Sequence, residues 1–110
     1  MIRVCLLREK KAPVGFVMSG HAEKGEPGED LVCAGVSAIV QTAILGITQV
    51  LNLQAAVSID PEGETRCVLS KDTPPESARQ AALLLDTMTA GLRAIEGAYP
   101  GTLKFDSKEV

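Results

Sequence analysis

At 110 residues the chain has the usual size of one domain, and its apolar fraction of 45% is that of an ordinary globular core. A net charge of -3 with 3% aromatic residues argues against nucleic-acid binding, which shows a basic stripe or stacking aromatics. Three cysteines cannot all pair within one chain, so Cys5, Cys33 and Cys67 read as reduced thiols of a cytoplasmic protein. No secretory leader pattern opens the chain. The longest apolar stretch, Leu31 to Leu53, is interrupted by Ser37, Gln41, Thr42, Thr48, Gln49 and Asn52. No apolar stretch is expected to be long and pure enough to span a bilayer, so this one reads as a buried helix, and no membrane partner is expected.

Met1 to Arg8 alternates as a strand, with Ile2, Val4 and Leu6 on one side and Arg3, Cys5 and Leu7 on the other. The charged Arg8-Glu9-Lys10-Lys11 reads as a hairpin turn, and Val14 to Ser19 as a second strand that delivers Gly20 and His21 to its end. Ala22 to Glu29 has no periodicity, only glycine, proline and charge, and reads as a mobile surface loop. Asp30 is a good N-cap for a helix running to about Leu53. At 100° per residue, Cys33, Ser37, Gln41, Thr48 and Asn52 share one stripe, expected as the only accessible side of that helix.

Gln54 to Asp60 and Thr65 to Ser70 alternate again around a Pro61-Glu62-Gly63-Glu64 turn, a second hairpin in which Cys67 packs as a small hydrophobe. Thr73 is the expected N-cap of a second helix, with Ala81, Leu85, Met88, Leu92, Ile95 and Tyr99 as its apolar stripe. Gly97 and Pro100-Gly101 end it, Thr102 to Phe105 can form one more short strand, and Asp106 to Val110 is expected to be loosely held. The implied fold is a single α+β domain over residues 1–110, a two-layer sandwich with two helices on one face of a largely antiparallel sheet in ββαββα order. Its uncovered face or edge invites dimerisation.

The chemistry concentrates between Ser19 and Ser37. A helix N-terminus favours an anion, and Cys33, counted as the third residue after the Asp30 cap, has free N–H groups nearby that can also hold an oxyanion. His21, the one histidine, can serve as the base that activates Cys33 and as the acid for a leaving amine. Asp30 can orient the imidazole or simply cap the helix. Ser37, one turn after Cys33, can donate to the thiolate or to substrate, or pack as a small helix residue. A lone His and Cys twelve positions apart also arise by chance. The competing readings are a non-catalytic peptide-binding module with a structural cysteine, and a redox sensor, which lacks a nearby resolving thiol. With no second histidine and no close cysteine pair, a zinc site would have to recruit scattered carboxylates, and no metal or other cofactor is expected.

Gly20-His21-Ala22, an eight-residue gap to Asp30, and then Asp30-Leu31-Val32-Cys33-Ala34-Gly35-Val36-Ser37 resemble the ribosomal-processing cysteine protease family, Prp. The element order and length resemble that family across the whole chain. The resemblance implies a cytoplasmic, homodimeric endopeptidase without metal or organic cofactor. Its implied substrate is a precursor of large-subunit ribosomal protein twenty-seven, from which it removes a short N-terminal extension. It further implies His21 as general base and Cys33 as nucleophile, with Asp30, Ser37, Gly20 and Ala22 at the other motif positions. The rival within this frame is a non-catalytic ribosome-assembly module. Gly35 stands where the family commonly has alanine, a difference of up to about 1 kcal/mol in helix propensity. Glu23 and Lys24 replace the small and aromatic residues common after the GHA, within the loop expected to cover substrate.

Overall fold

Alternation of period two builds most of the sheet. In a computed structural model, which describes residues 1–20, 29–61 and 63–110 with the side chains of Glu29 and Asp30 excepted, the first strand, β1, spans Ile2–Glu9 and β2 spans Ala12–Ser19. They form an antiparallel hairpin in which Arg3 faces Ser19 and Glu9 faces Ala12. Its two-residue loop, Lys10 and Lys11, has positive φ at both positions (52° and 72°), the handedness that matches strand twist. Both strands therefore run closer to the turn than the charge run suggested. Pro13 lies inside β2, but beyond the β2–β4 ladder, which covers Gly15 to Ser19, so its missing N–H costs no bond on that side.

The first helix, α1, spans Glu29–Leu45, and a π-helical turn, Gly46–Val50, follows. Asp30 is thus the second residue of the helix and not its cap, and Cys33 is the fifth rather than the third. Val32, Val36, Val40, Ile44 and Ile47 are buried against the sheet, each contributing roughly 1.5–3 kcal/mol of apolar burial. The buried stripe leaves more than one side open. Leu31 is 64% exposed, and Ala34, Ala38, Thr42 and Leu45 are exposed too, so the Cys33 stripe is not the helix's only accessible side. By length and composition Leu31–Val50 reaches what a membrane span requires, with a mean hydropathy of 2.0, which corrects the expectation that no stretch does so. Its buried stripe packs it as a core helix.

The π-helical turn begins at Gly46, where the backbone lies so close to Leu84 that its Cδ1 would stand 2.9 Å from any Cβ there. The Leu51 N–H donates to the Gly46 carbonyl at 2.9 Å, five residues back, and Asn52 leaves the helix at φ 54°. The wider turn rotates the residues beyond it. Of the expected stripe, Cys33, Ser37 and Gln41 line one cleft, and Thr48, whose hydroxyl donates to the Ile44 carbonyl, and Asn52 do not.

Strands β3 (Ala55–Ile59) and β4 (Glu64–Leu69) form the second hairpin, and β4 pairs with β2. The second helix, α2, spans Pro75–Ala98 and buries Ala81, Leu85, Met88 and Leu92. Tyr99 falls outside both the helix and its stripe. The cap position is Pro74, with Pro75 at N1, while the Thr73 hydroxyl donates instead to the Ser70 carbonyl at 2.7 Å. The last strand, β5, spans Leu103–Glu109 and runs parallel to β1. The C-terminal segment expected to be loose is thus held in the ladder, and the Val110 N–H donates to the Arg8 carbonyl at 2.8 Å. The sheet order is β3-β4-β2-β1-β5, mixed but mostly antiparallel, with both helices on one face. Glycine spacing draws the helices together: Gly35 faces Ile95, Gly91 faces Ile39 and Gly46 faces Leu84, an antiparallel pairing.

Candidate active site

Registers across the sheet place Ile59 opposite Thr65 and Thr65 opposite Met18. This row forms the floor of a cleft of about 220 Å³ whose wall is the α1 flank carrying Cys33, Ser37 and Gln41. Cys33 is half-buried, while Ser37 and Gln41 are exposed one and two turns further on. The far side is the β3–β4 turn, closed by hydrogen bonds from the Asp60 N–H to the Glu64 carbonyl (2.8 Å) and from the Gly63 N–H to the Asp60 carbonyl (3.1 Å). Gly20 completes the rim at the end of β2, where its N–H donates to the Gly63 carbonyl at 3.3 Å. Its φ of +89° and its position, where a Cβ would stand 2.3 Å from the Met1 carbonyl oxygen, admit glycine alone.

Of the three thiols, one opens on this cleft. Cys67 is fully buried between the sheet and the helices, and burial pushes its thiol above the ordinary value of 9.0. Cys5 lies on β1, half-buried, with its sulfur near the Leu6 carbonyl, and does not line the cleft. All three are free. As the fifth residue of α1, Cys33 lies one turn into the helix, so the free N–H groups of the first turn precede it in the chain.

The structure thus brings together Gly20, Cys33 and Ser37 of the sequence-predicted set. His21 and Ala22 lie outside the described residues, as does the side chain of Asp30, whose backbone is in the first turn of α1. Among the described residues no group of three or more His, Cys, Asp or Glu side chains could hold a metal ion. What the linear motif did not reveal is the floor residues Ile59 and Thr65 and the far side, Asp60 and Gly63, which the pairing of β4 with β2 carries to Cys33.

Comparison with known proteins gives concordant matches. The family model of cysteine protease Prp matches residues 1–104. The ribosomal processing cysteine protease Prp of Bacillus subtilis strain 168 is 32% identical over 106 residues, covering 94% of this chain and 95% of that protein. A crystal structure of the ribosomal processing protease Prp from Staphylococcus aureus in complex with a substrate peptide superimposes with a TM-score of 0.82 at 26% identity, covering 98% of this chain and 100% of that one. The same S. aureus protease with a covalently linked product peptide gives a TM-score of 0.80 at 28% identity with the same coverage.

Proposed function

Since the chain belongs to the cysteine protease Prp family, and so to a family of ribosomal processing proteases, we propose that it removes the N-terminal extension of large-subunit ribosomal protein twenty-seven. Residues 1–110 act as one catalytic domain, in the cytoplasm and as a homodimer. The observation that carries this reading is that Cys33 is the one thiol opening on the cleft, with Gly20, next in sequence to His21, on the rim.

His21 takes the thiol proton of Cys33, and the sulfur attacks the scissile carbonyl. The tetrahedral adduct collapses to a thioester as the peptide C–N bond breaks, and the imidazolium gives its proton to the leaving amine. Water, deprotonated by the same imidazole, then releases the extension as a free carboxylate. A covalently linked product peptide in the S. aureus relative supports nucleophilic chemistry of this kind. Ser37, exposed in the cleft one turn after Cys33, donates a hydrogen bond to the substrate or the sulfur, and Asp30 orients the imidazole. Gly20 and Ala22 flank the base in sequence, and Gly20 lets the end of β2 pass close to Met1.

The test is mass spectrometry of a peptide spanning the extension and the first residues of the mature ribosomal protein, incubated with the parent and with Cys33→Ala. Cleavage at one bond by the parent alone is expected. Cleavage by both overturns the nucleophile, and binding of the peptide without cleavage favours the non-catalytic module.

A further inference from the structure

The two edges of the sheet are built differently. Strand β5 carries Lys104, Asp106, Lys108 and Glu109 in seven residues, the charged pattern that keeps an edge from pairing. Strand β3, Ala-Ala-Val-Ser-Ile, has no charge at all, and Val57 and Ile59 are 39% and 56% exposed. Among the described residues no strand lies beyond it.

The ladder determines which of its backbone groups are free. The Asp60 N–H donates to Glu64 and the Ser70 N–H donates to Gln54, so the even-numbered residues form the hydrogen-bonded pairs with β4. Successive residues alternate between the two sides of a strand. Val57 and Ile59 therefore point both N–H and C=O outward. Their side chains, opposite Cys67 and Thr65, stand on the helix-bearing face, and Ile59 is at once the last residue of the edge and part of the cleft floor beside Cys33. Two residues on, the next outward position is Pro61, which has no N–H to offer, so pairing ends at the cleft.

We infer that β3 is the docking edge for the substrate, which adds as an extended strand against Val57 and Ile59 and leaves the ladder at Pro61 to enter the Cys33 cleft. This rests on the protease reading and adds how the substrate is selected. Recognition is by backbone hydrogen bonds, with apolar substrate side chains at alternate positions lying over Val57 and Ile59. Bulky charged residues at those positions are disfavoured.

The test uses Cys33→Ala protein, which leaves the peptide uncleaved, and the same extension peptide, with amide hydrogen exchange as the readout. In the free protein the Val57 and Ile59 amides exchange faster than those of Ala56 and Ser58. With peptide at ten times its Kd, the first two slow about tenfold, since only the unbound fraction exchanges. Singly N-methylating successive peptide residues weakens binding about three- to tenfold at every second position only. Unchanged exchange at Val57 and Ile59, no binding of the peptide, or N-methyl effects without alternation overturns the docking edge. Slow exchange without peptide that becomes slower as protein concentration rises overturns it too, since a second copy then covers the strand. Cleavage by the parent is scored separately, so a protease that cuts without protecting β3 loses this inference alone, and a chain that protects β3 without cutting loses the protease reading alone.

Discussion

The backbone N–H of Gly20 and the carbonyl of Gly63, 3.3 Å apart, tie the end of β2 to the β3–β4 turn and so join the two rims of the cleft. Both the left-handed backbone of Gly20 and the Met1 carbonyl 2.3 Å from its notional Cβ oppose any side chain. Gly20→Ala should lower stability by about 2 kcal/mol or more, measured by urea unfolding, and reduce cleavage further, because the residue displaced adjoins His21. A change below about 0.5 kcal/mol would mean that the turn relaxes without cost.

Cys33→Ala should reduce cleavage by at least about 10³-fold while leaving the unfolding midpoint close to the parent's, since the residue is half-buried at the edge of the core. Alkylation of the native protein offers an independent check. Cys33 should react before Cys67, which has no exposed surface and whose thiol is pushed up by burial. Labelling of Cys67 first would contradict the assignment of the accessible thiol.

Much of this architecture is readable residue by residue, because burial and periodicity coincide. Ile2 and Val4 alternate with more exposed neighbours and are buried, although Leu7, on the opposite side of β1, is as buried as Leu6, and Ala81, Leu85, Met88 and Leu92 repeat at helical spacing and are buried. Three elements escape such a reading for different physical reasons. The π-helical turn at Gly46 has no local signal, and the close approach of Leu84 of α2 to Gly46 joins positions 38 apart in sequence. The end of β5, Asp106 to Glu109, is an exposed edge without an apolar period, and only its parallel register with β1 defines it. Thr73 donates its hydroxyl back to the Ser70 carbonyl, and the cap position falls to Pro74, one residue later than the cap preference of threonine suggests. In the site, local motif spacing leads to Gly20, Cys33 and Ser37, whereas Ile59, Asp60 and Thr65 arrive through long-range strand pairing that no local pattern encodes.

Gly35→Ala separates helix propensity from packing. Alanine gains up to about 1 kcal/mol in a helix interior. Its methyl would lie 3.3 Å from the Ile95 Cδ1, a tight contact with the far end of a flexible, half-buried side chain that can rotate away. The propensity gain should therefore win in part, raising stability by a few tenths to about 1 kcal/mol with cleavage unchanged. A loss of stability in thermal unfolding would show that Ile95 is held in place by its neighbours and that α1 and α2 need glycine to approach.

The Cys67 thiol couples stability to alkaline pH. Burial raises its pKa in the folded state above the ordinary 9.0, so the unfolded chain gives up this proton first as pH rises. The unfolded state then binds fewer protons than the native state, and stability falls with pH. The contribution is fully present below 9.0 and is lost progressively above it, until the folded thiol ionises as well. Cys67→Ala should cost roughly 1–2 kcal/mol at neutral pH, because a fully buried side chain between Phe16 and Val57 is shortened. Above about pH 9 the difference between the two proteins should narrow, since only the parent carries the titrating thiol. Tyrosine and lysine ionisation is common to both and cancels in that comparison. Urea unfolding of the pair at about pH 7, 9 and 10 measures it, and a gap that stays constant or widens would mean that the buried thiol is not what weakens the fold in alkali.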